Sequence, residues 1–357
     1  MRIGIVGLSE GRSLMSAALK SDMVELVNIC DLNEDLCKER CREFDFDRHT
    51  LKYDDLLADA AIDVVGIYTP ERFHAEHVLA AFKAGKHVVC TKPLLDGLAR
   101  GREVLDAARA TGCWLFVGQS SRFFQPFIQQ RRDFESGELG ELFTIEAHYN
   151  YDHRWYLEKP WTDNATFKFL YNCISHPGDF VRWYLPDIDE VMGYGMISAN
   201  GREWGLTHPD IMHFVLRAPD GRVARVSGSY TGPIQPVERE SCLSTVLRCS
   251  NGCTQADYHE LRYAKKIVGQ PGVIQRFEGM EDYFFRFEGQ SHHAGEYQNY
   301  LEYVASCLTK GQVPKPDLTE GLVTLAMLHA MDESMERGQP VRISDVLKRY
   351  DLEELRS

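Results

Sequence analysis

Over residues 1–120, five short apolar runs, at 2–7, 24–31, 62–68, 87–90 and 114–118, alternate with segments whose apolar residues recur at helical spacing. The helical segments are 13–21, where Leu14, Ala17 and Ala18 share a face, then 36–44, 53–57, 73–84 and 98–111. Gly85 and Gly112 stand just past two of them, where a left-handed residue commonly ends a helix. Strands joined through helices pair in parallel, and a parallel sheet needs both faces covered. This rhythm constrains the chain more than any other feature. It predicts an α/β domain over residues 1–120 built on a doubly wound parallel sheet.

The rhythm changes after residue 120. A helix is expected at 127–136, ended by Gly137, then a strand at 142–151 and a helix at 175–184 stopped by Pro186. Strand-like runs follow at 191–198, 211–217, 222–230, 244–249 and 252–258, with Asp220-Gly221 and Asn251-Gly252 as hairpin signals. Helical patterns return at 295–309 and 319–337. Residues 121–357 therefore read as an α+β domain with a large, mostly antiparallel sheet.

Charge excludes some roles. The 357 residues carry 40 Lys and Arg against 53 Asp and Glu, a formal net charge of −13. That balance disfavours binding to nucleic acid or an anionic membrane, which needs clustered cations. The basic pair Arg131-Arg132 is followed by Asp133 and Glu135. No apolar stretch approaches the roughly 18 residues of a membrane-spanning helix. The opening MRIGIVGLSEGR turns polar too soon for a signal peptide and reads as a first strand. Ten cysteines without a C-x-x-C pair suit reduced thiols and a cytoplasmic location.

The first strand runs into IGIVGLSEGRS. Glycines in such a strand-to-helix turn let a pyrophosphate approach the backbone at a helix N-terminus. Strict G-x-G-x-x-G spacing fails here. Gly7 takes the first place, Ser9 and Arg12 stand where the second and third glycines belong, and Gly11 comes one residue early. Asp31 ends the second strand, 24 residues beyond Gly7. A carboxylate there accepts from ribose hydroxyls and repels a 2′-phosphate, which favours NAD over NADP; the competing reading is a cap for the helix after it.

The segment VVCTKPLLDG brings Lys92 to the end of a buried strand and stiffens the backbone with Pro93. The turn, Asp31, YTPERFHAEHVLAAFKAGKHVVCTKPL, VGQSSRFFQPF and NCISHPGDFVRWYL follow in one order and spacing. Together with DLTEGLVTLAMLHAMDESMERGQPVRI they resemble the family of glucose–fructose oxidoreductase, inositol dehydrogenase and MocA (Gfo/Idh/MocA) over nearly the whole chain. The resemblance implies a Rossmann domain, then a domain serving substrate binding and oligomer contacts. It also implies hydride transfer between a nicotinamide and a ring hydroxyl or carbonyl of a sugar or cyclitol.

The family's glutamate-lysine-proline motif falls on Thr91-Lys92-Pro93, its T-P-x-x-x-H on Thr69, Pro70 and His74, and its D-x-x-x-H-x-x-D on Asn172, His176 and Asp179. The resemblance thus implies cofactor contacts from Gly7, Leu8, Ser9, Gly11, Arg12 and Asp31. It implies further ones from Thr69, Pro70, His74, Thr91, Lys92 and Gln119. Lys92, His176, Asn172 and Asp179 are the expected catalytic group, and Arg122, Trp161, Asn172 and His176 the expected substrate contacts. Three departures stand out: Thr91 for the family's glutamate, Asn172 for its aspartate, and ATFKFLY, with Lys168, in place of a glycine-rich stretch.

Histidine titrates near neutral pH, so His176 suits the proton donor or acceptor, oriented by Asp179, while Lys92 steadies a developing alkoxide. His74, Glu76 and His77 lack the H-E-x-x-H spacing, and no metal is expected. The expected partners are a small polyhydroxylated substrate and further copies of the chain, as a homodimer or homotetramer. Two other readings stay open: an NAD-dependent glycoside hydrolase of the same fold, and a non-catalytic NAD-binding protein.

Overall fold

The computed structural model describes residues 1–159, 162–233, 243–277 and 295–356. The chain forms two compact units, Met1–Phe123 with Gly279–Leu322, and Phe124–Glu278 with Val323–Ser357.

In the first unit β1 (Arg2–Val6), α1 (Gly11–Lys20), β2 (Glu25–Cys30), α2 (Glu34–Phe44), β3 (His49–Thr50), α3 (Tyr53–Ala58) and β4 (Val64–Ile67) are followed by α4 (His74–Lys83), β5 (His87–Thr91), α5 (Gly101–Thr111) and β6 (Leu115–Gly118). The six strands are all parallel, in the order β3-β2-β1-β4-β5-β6. Every residue of β4 and β6 is buried, so both faces are covered, as their unbroken apolar runs require. Gly85 and Gly112 adopt φ of +70° and +69°, the left-handed geometry expected of helix ends.

The first unit also recruits a helix from far along the chain, α10 (Glu296–Thr309). Its Tyr297, Tyr300, Leu301 and Val304 join the core of Ile3, Ile5, Leu14 and Phe116. The Tyr300 hydroxyl bonds that of Tyr68 at the end of β4. The Val117 N–H donates to the Pro316 carbonyl at 2.8 Å, tying residues 316–317 to β6.

The second unit holds α6 (Gln125–Glu135), β7 (Leu142–Asn150), α7 (Arg154–Leu157), α8 (Ser175–Tyr184), β8 (Glu190–Met196), α9 (Ala199–Glu203), β9 (Ile211–Arg217), β10 (Val223–Ser229), β11 (Leu243–Cys249), β12 (Gly252–Asp257), β13 (Arg262–Ile267), β14 (Val273–Arg276), β15 (Val341–Arg342) and α12 (Ile343–Arg349). The long helix α11 spans Leu318–Arg337. The strand order is β14-β13-β12-β11-β7-β10-β9-β8-β15, antiparallel throughout except for the β7–β10 pair. One face packs on helices; along β9 Met212, Phe214 and Leu216 are buried while His213, Val215 and Arg217 face outward. The hairpins at Asp220-Gly221 and Asn251-Gly252 form where expected.

β13, β14 and α12 exceed the sequence expectation. RYAKKI places Tyr263 and Ile267 inward, but its cations mask the alternation, and Lys265 is held by Asp133 and Glu138. At α8 the structure alters a detail that bears on the site. Residues Leu170–Ile174 form a π-helical turn that runs straight into α8. Pro177, three residues past this turn, lacks the N–H that a regular α-helix would direct to the Cys173 carbonyl.

Candidate functional site

In the first unit the strand order reverses between β1 and β4, and the carboxyl ends of these two strands mark the usual binding crevice of an open parallel sheet. Gly7 leaves β1 with φ +86°. A Cβ at this position would stand 2.5 Å from the Tyr68 carbonyl carbon and oxygen, so only glycine fits against the end of β4. The Gly11 N–H donates to the Gly7 carbonyl at 3.2 Å and opens α1. A Cβ on Gly11 would lie 3.1 Å from Ile5 Cγ2, so Gly11 lets the helix sit close on the sheet, the role the motif gives its third glycine. Ser9 and Glu10 are exposed at the mouth of this turn, and the N-cap residue of α1, Glu10, makes no side-chain cap hydrogen bond.

Asp31 braces the turn. Its Oδ2 accepts from the Leu8 N–H at 2.9 Å, and its Oδ1 accepts from the Asn33 N–H at 2.9 Å. The cap of α2 is Asn33, whose Oδ1 accepts from the Leu36 N–H at 3.2 Å. Beside Asp31, Leu32 is 91 % exposed, an apolar side chain left open. Arg12 turns away from the helix mouth and pairs with Glu43, its Nε donating at 2.7 Å. Glu43 also accepts from Arg40, and Arg40 Nε donates to the Leu8 carbonyl at 3.2 Å. No arginine adjoins Asp31 in sequence, yet this one reaches the same loop from the buried side of α2. No local pattern announces it, because the contact depends on the tilt of a helix.

The ends of β4 and β5 meet through one side chain. His74 is 1 % exposed; its Nε2 lies 2.7 Å from the Thr69 carbonyl oxygen, and its Nδ1 lies 2.9 Å and 3.2 Å from those of Pro93 and Leu94. Burial holds its pKa below the ordinary histidine value, against the opposing pull of these carbonyls. The Thr69 hydroxyl is shared with His77 Nδ1 at 2.9 Å, a contact the sequence reading did not anticipate. Lys92 and Thr91 are half-buried at the end of β5, and Pro93 is buried behind them. Gln119 follows β6, and its Oε1 is a buried acceptor with no hydrogen-bond partner among the described residues. Arg122 is 4 % exposed and its Nη1 sits 3.3 Å from Glu320 Oε2, so a substrate role would have to share that carboxylate.

In the second unit His176 is half-buried in the first turn of α8, edge-on to Tyr149 with ring centroids 5.8 Å apart. Tyr149 in turn meets His153 at 5.2 Å, His153 meets Tyr151 at 5.0 Å, and Tyr151 meets His259 at 5.3 Å. This aromatic row, drawn from the ends of β7 and β12, was not anticipated from sequence, since its members lie up to about a hundred residues apart. Burial alone pushes the His259 pKa down to about 4. Asn172 sits within the π-helical turn, buried, its Nδ2 3.5 Å from the Lys168 carbonyl oxygen. The widened turn means Asn172 and His176 do not share a face through ordinary i, i+4 geometry. Asp179 is buried one turn further along α8. Lys168, a departure from the family pattern, pairs with Asp332 of α11 at 2.7 Å and anchors its own loop. Trp161 lies outside the described residues.

Two observations suit a nicotinamide dinucleotide in the first unit: the tight turn at Gly7, where a Cβ would strike the Tyr68 main chain, and the buried Gln119 acceptor. Gly7, Leu8 and Asp31 would hold its ribose and phosphates. Among the described residues no group of three or more His, Cys, Asp or Glu side chains is placed to hold a metal ion. None of the described helices is long and apolar enough to cross a membrane.

Comparison with known proteins extends these observations. The chain is 30 % identical over 142 residues to myo-inositol 2-dehydrogenase of Thermotoga maritima, covering 40 % of this chain and 42 % of that protein. It is 31 % identical over 153 residues to D-glucoside 3-dehydrogenase of Escherichia coli, covering 41 % and 42 %. Each match spans less than half the length of the curated relative. An oxidoreductase from Agrobacterium radiobacter, solved with NAD+, L-tartaric acid and magnesium, shares the fold at a TM-score of 0.85 and 18 % identity, over 97 % of this chain and 99 % of that one. Residues 1–119 match the oxidoreductase family with an NAD-binding Rossmann fold, residues 127–252 the GFO/IDH/MocA C-terminal domain, and residues 250–343 the oxidoreductase-family C-terminal alpha/beta domain. These matches cover both the parallel sheet with its switch-point turn and the mixed nine-stranded sheet, and the chain belongs to the Gfo/Idh/MocA family of oxidoreductases.

Proposed function

We propose that this chain is an NAD-dependent dehydrogenase acting on a CH–OH group, or the matching carbonyl, of a sugar, sugar derivative or cyclitol. The observation that carries the reading is the Gly7 cradle with Asp31 fixed on the Leu8 N–H beside it. A carboxylate in that position accepts from ribose hydroxyls and repels a 2′-phosphate, which selects NAD. The open side chain of Leu32 offers an apolar surface to the adenine. Bound there, the nicotinamide supplies or receives the hydride.

The remaining chemistry belongs to the chain. Lys92 steadies negative charge on the reacting oxygen. His176 carries the proton, with Asp179 orienting its ring. Asn172 donates or accepts a hydrogen bond at a substrate hydroxyl but does not carry a proton. The named activities of the inositol and glucoside relatives support a polyhydroxylated ring as substrate. The outward face of the second unit's sheet carries Phe143, Val215 and Tyr194 amid charged residues, and it is the surface proposed to pair copies of the chain. Sedimentation showing only monomer at micromolar concentration rejects that pairing.

Titration with NADH and NADPH, read by nicotinamide fluorescence, tests the cofactor reading. The expected result is tight NADH and weak NADPH binding; binding of neither overturns it. A screen of cyclitols and aldoses with NAD then tests the chemistry. Lys92→Ala should lower turnover about 100-fold or more on the substrate so found, and near-normal turnover removes Lys92 from the mechanism. Product release without net NADH would favour the hydrolase reading.

A further inference from the structure

We propose that His74 is a positioning residue that locks the loop carrying Lys92 to the loop carrying Thr69 and Pro70. The proposal rests on the reading of Lys92 and of the NAD site given above. A direct cofactor contact from His74 is disfavoured by its surroundings. The ring is 1 % exposed, and both nitrogens already face main-chain oxygens: Thr69 on one side, Pro93 and Leu94 on the other, all within 3.2 Å.

The ring reaches all three carbonyls, and the Leu94 oxygen also accepts from the Cys90 thiol at 3.9 Å. Among the described residues no main-chain N–H reaches the Thr69, Pro93 or Leu94 oxygens, and buried carbonyls need donors. Loops after parallel strands have no ladder to hold them, so a side chain is the means by which two such loops keep a fixed spacing. His74 is suited to that task because it opens α4, and α4 packs against both β4 and β5. Burial favours the singly protonated ring, which donates to one loop while its other edge packs against the second, and an alkyl side chain would donate to neither. The main chain at Pro93 and Leu94 is thereby set, and the half-buried Lys92 projects from a fixed base.

The test uses the full-length chain, His74→Leu and His74→Gln, with ADP-ribose and NADH as ligands. ADP-ribose reports the Gly7 and Asp31 end of the site; NADH adds the nicotinamide end. Reductive methylation, followed residue by residue by mass spectrometry, reports the freedom of Lys92. In His74→Leu the ADP-ribose Kd should stay within twofold, the NADH Kd should rise about tenfold, and Lys92 should be labelled several-fold faster. His74→Gln keeps N–H donors and should recover part of both effects. It carries the test by itself if His74→Leu does not fold, showing the same separation at smaller amplitude. Equal weakening of both ligands, or Lys92 labelling at the native rate, overturns the proposal. If the native chain binds neither ligand, it is the NAD reading that fails, and the labelling rates still decide whether His74 holds the Lys92 loop.

Discussion

The two units build their candidate residues in opposite ways. In the first, the main chain does most of the work: Gly7 turns tightly against the end of β4, the Leu8 N–H binds Asp31, and three carbonyls face the His74 ring. In the second, the candidate groups are side chains on a helix and at strand ends, with His176 of α8 beside the row of Tyr149, His153, Tyr151 and His259. The difference follows from the sheets. A parallel sheet covered on both faces leaves only its loops free at one edge, and a loop binds through backbone groups. A sheet packed on one face lets helix and strand-end side chains gather over its covered side. One unit should therefore be sensitive to backbone geometry and the other to side-chain chemistry.

Gly7→Ala attacks that contrast most directly. A Cβ would press on the Tyr68 carbonyl, and φ of +86° is strained for alanine. NADH affinity should fall at least about tenfold, on the order of 1.4 kcal/mol. Retained affinity would show that the cradle is not the cofactor's seat. Asp31→Ser comes next. The change removes a charge while a hydroxyl still reaches for the Leu8 N–H, so the turn survives and the NADH-over-NADPH preference narrows about tenfold. An unchanged ratio would move cofactor choice elsewhere, with Glu10, Arg12 and Arg40 the other charged groups at the turn.

His259 belongs to the other unit, and its effect is read on stability and not on cofactor affinity. Its folded pKa of about 4 lies below the unfolded value of roughly 6.5, so the native state binds the proton less readily. The stability this contributes is present above pH 6.5 and is lost as pH falls toward 4. Over that window the native chain should lose about 2 kcal/mol more stability than His259→Gln, measured by urea unfolding at each pH. Parallel curves would mean that the aromatic row leaves His259 open to water.

Much of the first unit was legible because its signals are local. A buried parallel strand reads as an unbroken apolar run such as VVGI, and a helix end reads as a single glycine such as Gly112. Hairpins at Asp220-Gly221 and Asn251-Gly252 are equally local. β13 and β14 were not, because the cations of RYAKKI hide an alternation that becomes visible only once Lys265 finds Asp133 and Glu138. The site residues divide the same way. Gly7, Asp31 and Lys92 sit at strand ends that periodicity locates, whereas Arg40 on the Leu8 carbonyl and Lys168 on Asp332 are pairings at long range.

By itself, then, the sequence determined the alternation of strands and helices, the switch-point turn with its glycines, and the acid and the lysine that end β2 and β5. These depend on side-chain period and on backbone preferences that each residue carries with it. Only the tertiary structure decided that α10 completes the first unit's core, that Arg40 reaches the Leu8 carbonyl, and that one buried imidazole sits between two loops. Those outcomes depend on which groups meet after the chain has folded, and no local pattern encodes a meeting between residues that lie far apart in sequence.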